Sequence, residues 1–191
     1  MGACFADFDN DGPLDLLHVN GMGNNDARVN LKHEAFLHDP ARLYMNSGDG
    51  TFVESAGDAG LDHSRQGRGV ACFHYDRDGD LDVLIANNGR APTLYRNDGD
   101  TQNHWLRVRL EGPPGNAEGV GAWIIAHAAG RSQTREIRLG SNYLSNDPVA
   151  AHFGLGASTR VERLEVRWPG GRVDEIRDVQ VDREITVRMG G

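Results

Sequence analysis

Asp7-Phe8-Asp9-Asn10-Asp11-Gly12-Pro13-Leu14-Asp15 and, 67 residues on, His74-Tyr75-Asp76-Arg77-Asp78-Gly79-Asp80-Leu81-Asp82 decide how this chain is read. Each stretch sets carboxylates on alternate residues around a glycine and closes with another Asp. Like charges at this density repel, so folding them together requires a cation between them. Alternating oxygen donors, a glycine for the sharp turn and a closing carboxylate suit a hard divalent ion, Ca²⁺ before Mg²⁺. In the first loop, Asp7, Asp9, Asp11 and Asp15 supply side-chain oxygens and Pro13 its carbonyl. In the second, Asp76, Asp78 and Asp82 supply carboxylates and Asp80 its carbonyl. His74 stands where the first loop has Asp7, and imidazole nitrogen is too soft a donor for calcium, so the second site is expected to be weaker.

The flanks exclude the helical alternative. An EF-hand needs a bidentate Glu at loop position 12, where these loops carry His18 and Ile85. Ala3-Cys4-Phe5-Ala6 and Leu14 to Val19 lack a capped helical stripe and predict short strands about a tight loop.

The repeat extends beyond the loops. Gly2 to Ala6 and Gly69 to Phe73 lead in at the same offset. Leu43-Tyr44-Met45-Asn46-Ser47-Gly48-Asp49-Gly50 and Leu94-Tyr95-Arg96-Asn97-Asp98-Gly99-Asp100 follow. The first copy is longer before this segment, making Met22 to Asp39 an inserted loop. Thr51 to Glu54 predicts a fourth strand and Gly57 to Leu61 the crossing to the next unit. Four short strands per unit predict a propeller blade. Past Asp100 the pattern changes: Leu106, Val108 and Leu110 alternate with Arg107 and Arg109, an inward–outward strand. Further strands are expected over Val120 to Ala128, Leu164 to Trp168 (with Trp168 in the core) and Glu184 to Arg188, and a turn at Pro169-Gly170-Gly171.

The expected fold class is therefore all-β: a partial β-propeller of about two blades over residues 1–103, then a small sandwich or barrel-like domain over residues 104–191. Of 191 residues, 38% are hydrophobic and 25 are glycine, which suits a turn-rich β protein. No apolar run is long enough to span a membrane. Residues 1–103 carry 17 acids against 8 bases, and eight of those acids lie in the two loops. The net charge of −8 thus belongs to the loops, and no basic stripe with interleaved aromatics marks a nucleic-acid partner. The alignment sets Cys4 opposite Ala71 and Cys72 opposite Phe5, on opposite faces of equivalent strands. Two unpaired, buried thiols are expected.

The first half, with Phe-x-Asp-x-Asp-x-Asp-Gly-x-x-Asp-Leu followed by Leu-Tyr-x-Asn-x-Gly-Asp-Gly-Thr-Phe, resembles the FG-GAP/VCBS repeats of integrin-α-type propellers. The second carries Gly119-Val120-Gly121-Ala122, Gln133-Thr134-Arg135-Glu136, Gly140 to Ser145, His152-Phe153-Gly154-Leu155-Gly156 and Val166 to Gly171, and resembles an ASPIC/UnbV domain. Asn142 and Asn146 depart from the usual residues there. Together they resemble the cartilage acidic protein family. That resemblance implies a calcium-stabilised module that is secreted, periplasmic or on the cell surface, its signal peptide and remaining blades lying upstream or the blades coming from another copy. A non-catalytic role in binding an extracellular protein or glycan through the loop face follows. The alternative is an enzyme or accessory factor of bacterial secondary metabolism. Against it, Gly154-Leu155-Gly156 lacks the third glycine of a dinucleotide fingerprint, and Ser141, Ser145 and His152 lack a nucleophile elbow.

Overall fold

Each acidic loop joins two antiparallel strands at one end of a small sheet. The computed structural model describes residues 2–20, 39–99 and 102–190, so the inserted segment of the first copy lies almost wholly outside the described residues. Strands β1 (Ala3–Ala6), β2 (Asp15–His18), β3 (Arg42–Asn46) and β4 (Phe52–Glu54) pair in sequence order. β5 (Gly67–Phe73), β6 (Asp82–Asn87) and β7 (Thr93–Tyr95) repeat the meander with three strands. The expected fourth strand is absent from this sheet among the described residues. Registers match across the copies: Phe5 opposes Leu16 and Leu16 opposes Tyr44, while their counterparts Cys72 and Val83 pair and Val83 opposes Tyr95.

The two sheets share one core. Cys4, Ala6, Leu17 and Leu43 pack with Val70, Cys72, Val83 and Ile85. Within it Cys4 and Cys72 form a disulfide, their Cα atoms 6.8 Å apart, which corrects the expectation of free thiols. The strands are equivalent as aligned, but opposite faces bring the two cysteines together instead of keeping them apart. When equivalent sheets stack, the inward face of one meets the opposite face of the next, so residues on opposite faces of equivalent strands are the ones that meet.

The remaining strands are β8 (His104–Glu111), β9 (Trp123–Ala128), β10 (Arg131–Glu136), β11 (Ala151–Gly156), β12 (Arg160–Arg167), β13 (Val173–Gln180) and β14 (Arg183–Arg188). They make two sheets, β10-β9-β12-β13 and β11-β8-β14, with β14 parallel to β8. Leu106, Val108 and Leu110 of β8 face a second core with Ile124, Phe153, Val161 and Leu164, as the alternation predicts. Trp168 is buried there, its indole N–H donating to Asp174 Oδ2 at 2.7 Å. All described regular structure is β, and no described sheet closes into a barrel.

Candidate metal centre

The two loops follow one backbone recipe. Asn10 and Arg77 take left-handed φ values of 59° and 68°, and Gly12 and Gly79 take 110° and 113°. The closing Asp anchors each loop identically. Asp15 accepts the Phe8 N–H at 2.9 Å and the Asn46 N–H at 2.8 Å. Asp82 accepts those of Tyr75 at 2.6 Å and Asn97 at 2.9 Å. The carboxylate thus ties the loop to the end of the third strand in the first copy and to the segment just past it in the second, and this explains why Asp recurs three residues after the turn glycine.

In the first loop, carboxylate oxygens of Asp7, Asp9 and Asp15 lie within 4.8 Å of one another. Asp7 is 1% exposed. Its Oδ2 accepts the Gly12 N–H at 2.9 Å, while its buried Oδ1 has no hydrogen-bond partner; Asp11 Oδ1 is in the same state. Burial, reinforced by Asp9, Asp11 and Asp15, pushes the Asp7 pKa up to about 7. Burial and Asp9 raise Asp11 to about 6. Burial raises Asp15 to about 6 against its two backbone donors. Such a set is destabilised as free anions and is chemically matched to a hard cation. Pro13 sits half-buried in the same turn.

The second loop gathers a different trio. Asp76, Asp78 and Asp98 lie within 4.8 Å, all three exposed. Asp98 was not singled out from the sequence; its alignment with Ser47 of the first copy was the available signal. Arg96 reaches both ends of the trio, 2.7 Å from Asp98 and 4.0 Å from Asp76. Asp80 turns toward the first loop, its Oδ1 accepting from Asn10 Nδ2 at 2.9 Å. Burial, then Asp78 and Asp82, raise its pKa to about 6.

His74 points away from the acids. Its Nε2 lies 3.1 Å from Nδ1 of His152, whose Nε2 lies 2.7 Å from Asn10 Oδ1. Burial, reinforced by Arg107, lowers His74 to about 4. Burial, followed by His74, holds His152 well below the usual imidazole range. Both rings are therefore neutral at pH 7. Ser145 Oγ donates to Val70 O and Ser141 Oγ accepts the Asp147 N–H, so neither serine is directed at His152. Asp147 also accepts the Cys72 N–H at 2.8 Å. Cys4, Cys72 and Asp147 approach one another as ligands would, but disulfide sulfurs lack the thiolate charge that binds a metal. A cleft of about 360 Å³ runs along this seam, lined by Asp7, His74, Arg107, Arg135, Asp147 and His152.

Residues 112–191 match the family model described as ASPIC and UnbV. Cartilage acidic protein 1 of Xenopus tropicalis is 29% identical over 177 residues, covering 88% of this chain and 25% of its own. The proteins of that name from Homo sapiens and Mus musculus are each 29% identical over 175 residues, covering 88% of this chain and 24% and 25% of theirs. The chain spans about a quarter of the length of these relatives.

Proposed function

We propose that the chain is a calcium-stabilised, non-catalytic binding module of an extracellular protein, with the first loop as its principal ion site. The observation that carries this reading is Asp7: a carboxylate 1% exposed, with one oxygen unpartnered, beside the carboxylates of Asp9 and Asp15. A bound dication would supply charge neutralisation and a rigid cross-link, with Asp7, Asp9, Asp11, Asp15 and the Pro13 carbonyl as its donors. Asp76, Asp78 and Asp98, with the Asp80 carbonyl and Asp82 of the original set, form the weaker second candidate.

Two further readings belong with this one. The Cys4–Cys72 disulfide favours an oxidising compartment, in keeping with the name of the relatives and with secretion or surface display. The stacked meander sheets suit FG-GAP/VCBS-type propeller blades forming one unit up to about residue 103, the ASPIC/UnbV sandwich forming the next. Phe5 is 61% exposed on the outer side of the first sheet, and Leu84 and Leu94 lie on the outer side of the second. These are the faces that further blades would cover. A protein or glycan partner then meets the exposed loop 2 side or the remaining surface, because the first loop is largely buried.

Thermal melting in chelator and in excess calcium tests the ion site. Calcium at about 100 times its Kd stabilises by about 2.7 kcal/mol, a rise in Tm of roughly 5–10 °C for a chain this size. Identical melting curves in the two conditions would sink the reading.

A further inference from the structure

The strand His152-Phe153-Gly154-Leu155-Gly156 ends against the first loop and contacts it along its length. His152 Nε2–H donates to Asn10 Oδ1 at 2.7 Å, and Gly156 N–H donates to the Asn10 carbonyl at 2.8 Å. Gly154 lies so close that a Cβ there would collide with the Asp7 carboxylate and the Asn10 backbone. Asn103 Nδ2 donates to Asp9 O at 2.8 Å, and Arg135, held by the His152 carbonyl, reaches Gly12 O at 3.5 Å. Every one of these contacts is made to the loop that carries the candidate ligands, and most are made to its backbone.

Asn10 also reaches the second loop, donating to Asp80 Oδ1 at 2.9 Å and Gly79 O at 3.3 Å. The amide orientation fixes the ring tautomers. With Asn10 Oδ1 facing His152, Nε2 of that ring must carry the proton and Nδ1 accepts from His74 Nε2–H. One hydrogen-bonded chain therefore runs His74, His152, Asn10, Asp80, leaving one loop, crossing the sandwich and returning through the other.

We infer that the first loop is a cation-dependent clasp: ion binding sets the backbone of Asp9 to Gly12 that Asn103, β11 and Arg135 grip, and Asn10 transmits that order to the second loop. The partner of this loop is thus the ASPIC/UnbV sandwich of the same chain. The inference rests on the calcium reading, whose independent support is the buried, unpartnered oxygen of Asp7. Without the ion the Asp7, Asp9 and Asp15 carboxylates repel, and the carbonyls that Gly156, Asn103 and Arg135 bond lose their fixed directions.

Amide hydrogen exchange of the full chain, with calcium alone as the probe, tests it. Calcium at about 100 times its Kd is expected to slow exchange of residues 152–156 by up to about 100-fold relative to chelator, together with residues 7–15. Asn10→Gly keeps the left-handed backbone and deletes the side chain. Read at a calcium concentration that loads the first loop but not the weaker second, it should retain calcium protection of residues 7–15 while the response of residues 74–82 falls several-fold. Asp9→Ala should abolish the response of residues 152–156. If calcium protects residues 7–15 of the unaltered chain but leaves 152–156 unchanged, the clasp is refuted and the ion site stands. If titration calorimetry detects no calcium binding, both fall. If Asn10→Gly leaves the second loop's response intact, the link through Asn10 is refuted.

Discussion

The two acidic loops share their sequence pattern, their left-handed residues and their anchoring Asp, yet one is buried and the other exposed. Asp7 and Asn10 are each 1% exposed, whereas Asp76 and Asp78 face solvent. The difference is not in the loops' own turns. It comes from what lies against them: β11 closes over the first, while the second meets the sandwich at its base, where Gly79 backs onto the Trp105 indole and His74 onto His152. A short motif specifies a turn, but how far that turn's carboxylates are desolvated is set by distant residues that strip water from them.

The largest expected effect is at the contact that makes the difference. Gly154→Ala forces a methyl group into the Asp7 carboxylate and the Asn10 backbone, and overpacking of this kind costs about 1–3 kcal/mol. A fall in Tm of about 3–10 °C is expected by calorimetry, together with loss of calcium response at the first loop alone. An unchanged melt would mean that β11 does not press on this loop.

Asp9→Ala and Asp76→Ala sharpen the same contrast. In calcium, Asp9→Ala should remove most of the roughly 2.7 kcal/mol that a saturated site contributes, while Asp76→Ala, at an exposed position, should change stability by about 0.5 kcal/mol or less. In chelator the sign at the first loop should reverse, because Asp9 is the largest charge opposing ionisation of Asp7. Crossing stability curves for Asp9→Ala would be hard to explain without an ion. Equal effects of the two substitutions would break the comparison.

The pH dependence should differ between ion-free and loaded protein. The Asp7 carboxyl is raised from 3.8 to about 7 in the fold, so between those values the ion-free native state holds a proton that the unfolded chain has released. Its contribution is complete below about pH 4 and is lost as pH rises through about 7. In chelator, Tm should therefore fall across that window. Calcium requires the ionised carboxylate, so the calcium-induced gain in Tm should grow with pH over the same range. Melting series in the two conditions that ran parallel would contradict the placement of Asp7 at the ion.

Much of this was legible in local spacing. The turn glycines, the strands around each loop, the failure of the EF-hand reading, the alternation of β8 and the burial of Trp168 all follow from residues within a few positions of one another. What escaped depends on distance in the chain. The Cys4–Cys72 pairing required knowing which faces of two sheets meet. β10, Arg131-Ser132-Gln133-Thr134-Arg135-Glu136, shows no apolar alternation because Gln133 and Arg135 serve the seam, bonding Gly154 O and His152 O. His152 and Asn10 meet across 142 residues, and neither looks special where it stands. Asp98 was hidden because the first copy has Ser47 in its place.

That last substitution carries the smallest prediction. In the second copy Arg96 and Asp98 replace Met45 and Ser47, so one acid and one base enter together at the same sheet edge. The Arg96 guanidinium lies 2.7 Å from Asp98 and 4.0 Å from Asp76, where it offsets part of the charge that an ion would otherwise neutralise. Both groups are exposed, so the pair contributes little to folding, but it competes with a cation for the same oxygens. Arg96→Met, which copies the first loop, should tighten calcium at the second loop about two- to fivefold, read by titration calorimetry in an Asp9→Ala background where the first loop is silent. Weaker binding would show instead that Arg96 orders the acids for the ion, and the two loops would then differ in how they are assembled as well as in how deeply they are buried.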